Sequence, residues 1–66
     1  MRRLEEIVVE KDEIEALKLH DVDGLDQVQA AKKMKISQPT FARVLDSTYK
    51  KIAQAIINGN AIGINT

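Results

Sequence analysis

Sixty-six residues make one domain, residues 1–66, near the lower size limit for folding alone. The absence of Cys excludes a disulfide scaffold and a thiolate metal site and fits a reducing cytoplasm. "MRRLEEIVVE" carries charges inside any apolar segment a signal peptide would need, and no apolar run approaches the roughly 20 residues of a membrane helix. Net charge is zero, which alone argues against nucleic acid, but the charges are segregated. Leu4 to Asp26 holds nine acidic residues and two lysines, whereas Gln27 to Lys51 holds six basic residues and one acid, Asp46. One acidic and one basic part point to a polyanionic partner, or else to a solvated surface with no partner.

In chain order, the β-branched run Ile7–Val9 predicts a short strand. A helix follows from about Lys11 to His20, with Ile14, Leu17 and Leu4 or Val8 on its apolar side and the acids of "EKDEIE" as a solvated first turn. Gly24 in "DVDG" stops it. Asp26 and Gln29 form a capping-box pattern, so a second helix runs from there through Val28, Ala30 and Ala31 to about Met34. Ser37 caps a third helix. Pro39 is tolerated in its first turn, where a missing N–H has no partner to lose. Phe41, Val44, Leu45, Thr48, Ile52, Ala55 and Ile56 form one face, and Gly59 stands at the C′ position. The tail at Ala61, Ile62 and Ile64 either pairs with Ile7–Val9 or frays. With one Phe, one Tyr and no Trp, aliphatic packing carries the core, and small cores of this kind often recruit a partner chain.

The second and third helices fit a helix-turn-helix. Its inward positions are Ala30, Ala31, Met34, Ile36, Phe41 and Val44. Many such turns need positive φ and place Gly where this chain has Lys35, a departure worth on the order of 1 kcal/mol. At 100° per residue, Gln38, Pro39, Ala42, Arg43 and Asp46 share the solvent side of the third helix. These are the expected base contacts: Gln38 can pair with adenine and Arg43 with guanine, while Pro39 and Ala42 allow close approach. Gln27, Lys35, Ser37, Thr40 and Lys50 are the expected phosphate contacts. Ser37 is first of all a cap, and Lys50 is spaced for an ion pair with Asp46.

The chain also resembles a largely uncharacterised family of small predicted DNA-binding proteins of bacteria and archaea. The resemblance is carried by D-E-x-E-A-L-x-L (Asp12–Leu19), G-L-x-Q-x-x-A-A (Gly24–Ala31), S-x-x-T-F-x-R-x-L (Ser37–Leu45) and N-G-x-A (Asn58–Ala61). Similarity to the last helix-turn-helix domain of bacterial sigma factors is weaker. Members of the family usually carry a cysteine-bearing N-terminal segment, so this chain resembles either a truncation or a short member. The resemblance implies a DNA-binding role.

Asp21, Asp23 and Asp26 do not make a calcium loop, since the glycine comes too early and Lys32 stands at the twelfth position. His20 reads as a surface or capping residue, and no nucleophile–base pair suggests an enzyme. No metal or cofactor is expected. The sequence therefore predicts an all-α, three-helix helix-turn-helix domain, with a two-stranded ribbon from its ends if the tail pairs. The expected function is sequence-specific binding of double-stranded DNA in transcriptional regulation, with Tyr49, Ile52, Ala53, Ile56 and Ile57 as a homodimer surface. The alternative is a protein-interaction module that uses the acidic first helix.

Overall fold

The computed structural model describes residues 6–65. They form β1 (Glu6–Val9), α1 (Lys11–Leu17) extended by a π-helical turn (Lys18–Val22), α2 (Gln27–Met34), α3 (Gln38–Asn58) and β2 (Ala61–Ile64). Leu4, considered above for the first helix's apolar side, lies outside the described residues. The fold is mostly helical, with three helices and one small sheet.

Local chemistry accounts for most boundaries. Asp26 and Gln29 complete the capping box: the Gln29 N–H donates to Asp26 Oδ1 at 2.8 Å and the Asp26 N–H to Gln29 Oε1 at 3.2 Å. Ser37 Oγ accepts the Thr40 N–H at 3.2 Å and donates to Thr40 Oγ1 at 2.9 Å. Together these bonds satisfy N–H groups that a helix start otherwise leaves open. At the far end of α3, Gly59 adopts φ +68°, and the Asn60 N–H returns to the Ala55 carbonyl at 2.9 Å. That closure needs a left-handed residue, which glycine supplies without strain.

Lys35 takes the same left-handed conformation between α2 and α3, with φ +59°. The Ile36 N–H bonds the Ala31 carbonyl at 3.0 Å across it. Lys35→Gly is therefore expected to stabilise the domain by up to about 1 kcal/mol. In a domain of this size that corresponds to a melting temperature higher by several degrees, whereas Lys35→Ala should give no such gain.

The first helix departs from expectation in two ways. It continues through Val22 as a π turn rather than ending near His20. There the Asp23 N–H reaches back to the Lys18 carbonyl at 2.8 Å and the Leu25 N–H to Leu19 at 3.0 Å. Its inward face is also one step round from Ile14 and Leu17, which are half-buried. Glu13, Ala16 and Leu19 are the buried positions, so Glu13 is no part of a solvated turn. His20 is drawn in as well. Its Nδ1 bonds the Leu25 carbonyl at 2.7 Å, and its ring stands edge-on to Phe41 at 6.3 Å.

The core comprises Ala16, Leu19, Ala30, Ala31, Phe41 and Leu45, flanked by half-buried Leu25, Met34, Ile36 and Val44. All the expected inward positions of α2 and α3 are thus at least half-buried. Val28 and Ile56 face solvent instead. The tail does pair: β1 and β2 run parallel, with Glu6 beside Ala61 and Val9 beside Ile64. Parallel strands need a long crossover, and here the three helices provide it. At 21 residues, α3 is about 31 Å long and separates its capped start from the sheet at its other end.

Candidate nucleic-acid interface

The start of α3 lies beside the start of α2. Each helix begins with a glutamine, and the two side chains meet: Gln38 Nε2 donates to Gln27 Oε1 at 2.6 Å. This bond is short and exposed, and it fixes two helix N-termini next to each other. The aligned peptide dipoles give both ends partial positive charge, although the caps already take the Gln29 and Thr40 N–H groups and Pro39 has none. Phe41 and Leu45 anchor the inner side of α3 in the core, which holds the opposite side outward.

On that outer side, Gln38, Pro39, Arg43 and Asp46 are exposed and Ala42 is half-buried. Lys35, Ser37, Thr40 and Lys50 are exposed around them, and Gln27 is half-buried at the head of α2. The Gln38–Gln27 bond brings the start of α2 beside the outer side of α3, with qualifications for several of these residues. Lys50 Nζ pairs with Asp46 Oδ2 at 3.1 Å, one helical turn away, so each partly neutralises the other. The Ser37 hydroxyl is already committed to the cap, where it both accepts and donates, whereas the Thr40 hydroxyl only accepts there and keeps its own proton to donate.

The far half of α3 carries the expected dimer residues, which do not form one uniform surface. Ala53, Ile56 and Ile57 are exposed, and Ile52 is half-buried. The Tyr49 hydroxyl donates to Asp21 Oδ2 at 2.6 Å, tying α3 to the π turn. This bond to a carboxylate, with partial burial and the nearby negative charge, pushes the phenol up to about 12.

A polar cluster beside the interface was missed in the sequence. Lys51 Nζ bonds Glu13 Oε1 at 2.6 Å and the Val8 carbonyl at 2.9 Å. The Ser47 hydroxyl bonds Glu13 Oε2 at 2.9 Å, and the Glu10 N–H bonds Glu13 Oε1 at 2.9 Å. Burial pushes the Glu13 carboxyl up, but these donors outweigh it and hold the group below its ordinary value. Lys51 is therefore withdrawn from the basic set that could face a polyanion. The same fold puts Arg43 at the rim of an open hollow of about 330 Å³ shared with Glu10, Asp12 and Glu13. Acidic and basic parts that are separate in the sequence thus meet along one side of α3. Only the i,i+4 spacing of Ser47 and Lys51 could have signalled this cluster; their partner is more than 30 residues away.

Among the described residues, no helix is long and apolar enough to cross a membrane. A family model described as "Protein of unknown function DUF134" matches residues 2–66. The UPF0251 proteins of Thermoanaerobacter pseudethanolicus and Moorella thermoacetica are 42% and 45% identical over 64 residues, which is 97% of this chain and 54% and 43% of theirs. That of Prosthecochloris aestuarii is 48% identical over 62 residues, 94% of this chain and 40% of its own. The chain spans about half the length of the curated relatives it matches. No solved structure matches it.

Proposed function

The chain belongs to the family of proteins of unknown function DUF134, and we propose that it is a transcriptional regulator that binds duplex DNA sequence-specifically, α2 and α3 acting as a helix-turn-helix. The observation that carries this reading is the exposed start of α3, braced against the start of α2 by the Gln38–Gln27 bond. A helix held this way, apolar behind and polar in front, has the form of an element that enters the major groove. Arg43 then reads guanine, and Gln38 reads adenine with Gln27 holding its amide in plane. Pro39 and the half-buried Ala42 let the helix backbone approach the bases. Lys35, the backbone N–H of Ser37, the Thr40 hydroxyl and the N-terminus of α2 contact phosphates in this reading, and Lys50 adds charge beside Asp46.

Binding of labelled protein to random duplex DNA, followed by anisotropy over a salt series, tests this reading. Affinity should fall steeply with salt, as release of condensed counterions requires. On a selected site, Arg43→Ala should lose about 1–3 kcal/mol and relax preference at one base pair. Absence of binding at low salt would remove the DNA reading. The rival is a protein-interaction module built on the exposed acids of α1, Asp12 and Glu15. Unchanged DNA affinity in Arg43→Ala, with function lost on charge reversal of those acids, would favour it.

A further inference from the structure

We infer that two copies of this chain associate about a two-fold axis by pairing β2 with β2 in antiparallel register centred on Gly63, whatever the opposite end of α3 binds. The first ground is the state of the sheet's two edges. The Asn65 N–H bonds the Val9 carbonyl at 3.0 Å, so Asn65 and, by alternation, Gly63 direct their backbone groups toward β1. Those of Ile62 and Ile64 therefore point away from it. On β1 the outward carbonyl of Val8 is covered by Lys51 Nζ at 2.9 Å. Among the described residues, no hydrogen bond reaches the outward groups of Ile62 and Ile64. Proteins commonly protect such edges with charge or proline. This chain places a lysine against one edge and leaves "AIGI" on the other.

The second ground is the face of the sheet. Paired residues share a side, so Ile62 stands beside Ile7 and Ile64 beside Val9. Val9 is 3% exposed, whereas Ile62 is 45% and Ile64 65% exposed, so the apolar face of the sheet extends past the helices that cover β1. Ile56 and Ile57, on the end of α3 leading into β2, are exposed too.

The third ground selects the occupant. From Ile52 to Thr66 there is no charged residue, in a chain that is 30% charged overall. A strand that brings charged side chains gains nothing against Ile62 and Ile64, whereas a second copy of this one brings none; its like-charged pair at the seam is the two Glu6 carboxylates, each lying over Gly63 on the opposite face of the sheet. With Gly63 on the axis, Ile62 lies opposite the partner's Ile64. Both are outward-facing residues, so each pair can exchange both N–H···O bonds while apolar side chains meet across the strands. The result is one sheet in the order β1-β2-β2-β1, with the starts of the two α3 helices far from the interface.

Sedimentation equilibrium of this chain from about 1 μM to about 1 mM tests the inference, since it spans the range of moderate affinities. A reversible monomer–dimer equilibrium is expected. Exchange of the Ile62 and Ile64 amides should slow as concentration rises. Ile64→Pro removes one outward N–H without touching the β1 ladder, and Ile62→Lys places charge at the seam. With an unchanged circular dichroism spectrum, either should raise the dimer dissociation constant at least about tenfold. A chain that stays monomeric throughout overturns the inference. So does open-ended association, or a dimer whose Ile62 and Ile64 amides exchange freely.

Discussion

Phe41→Ala is expected to leave most of the chain unfolded at room temperature. Phe41 is the largest fully buried apolar side chain of the core and lies on α3 against residues of both other helices. Truncating a buried Phe costs about 3–5 kcal/mol through lost transfer energy and the cavity left behind. A core in a domain this small rarely supplies more than about that much. Ala16, Ala30 and Ala31 around it are too short to collapse into the space. The edge-on contact of His20 would also go. Urea unfolding followed by circular dichroism checks the expectation; a cooperative transition within about 1 kcal/mol of the wild type would mean the core is held some other way. Phe41→Leu keeps most of the volume and should cost much less. It therefore allows the exposed side of α3 to be assayed for the proposed DNA binding with the core only mildly weakened.

The central place of Phe41 was legible because it rests on local periodicity and local caps. "SQPTF" announces a helix start, and a Phe three to four residues after the cap must face inward if Gln38 and Pro39 do not. Gly59 and the Asp26–Gln29 pair are signals of the same short range. What failed had long range or no period. Glu13 looked solvated because acids in a first turn satisfy the helix dipole, and nothing nearby suggests Lys51 or Ser47 as partners. The π turn at Lys18–Val22 follows from tertiary closure around Leu25. The strands were discernible as a β-branched run at Ile7–Val9 and as apolar alternation in the tail, but their parallel pairing depends on the path of all three helices. For the candidate interface, the residue set was legible from helical geometry, while the Gln27–Gln38 bond and the acidic neighbours of Arg43 required the fold.

Glu13→Ala is expected to destabilise the domain by about 2–3 kcal/mol, close to the loss from a core truncation. Glu13 is 6% exposed and joins α1, α3 and the end of β1 through Lys51, Ser47 and the Glu10 N–H. Removing it leaves the Lys51 ammonium without its anion in a partly dry site. The Lys51 side chain is 31% exposed, so water recovers part of the loss and the figure falls below that for a fully buried pair. The pH dependence has a definite sign. The folded-state value of Glu13 lies below its ordinary 4.5, so between the two values the unfolded chain binds more protons than the folded one. The stabilisation is complete above the ordinary value and disappears as pH falls through the lower one. Urea unfolding from pH 7 down to about pH 3 should show wild-type stability dropping below about pH 5, and Glu13→Gln should start lower and fall less. If both proteins lose stability in parallel, Glu13 does not carry the acid sensitivity, and the exposed acids of α1 and the π turn would have to. Lys51→Met separates charge from packing. It retains the apolar stem, leaves Glu13 buried without its cation and raises its folded-state value, so its stability should start lower at neutral pH and, as for Glu13→Gln, fall less on acidification.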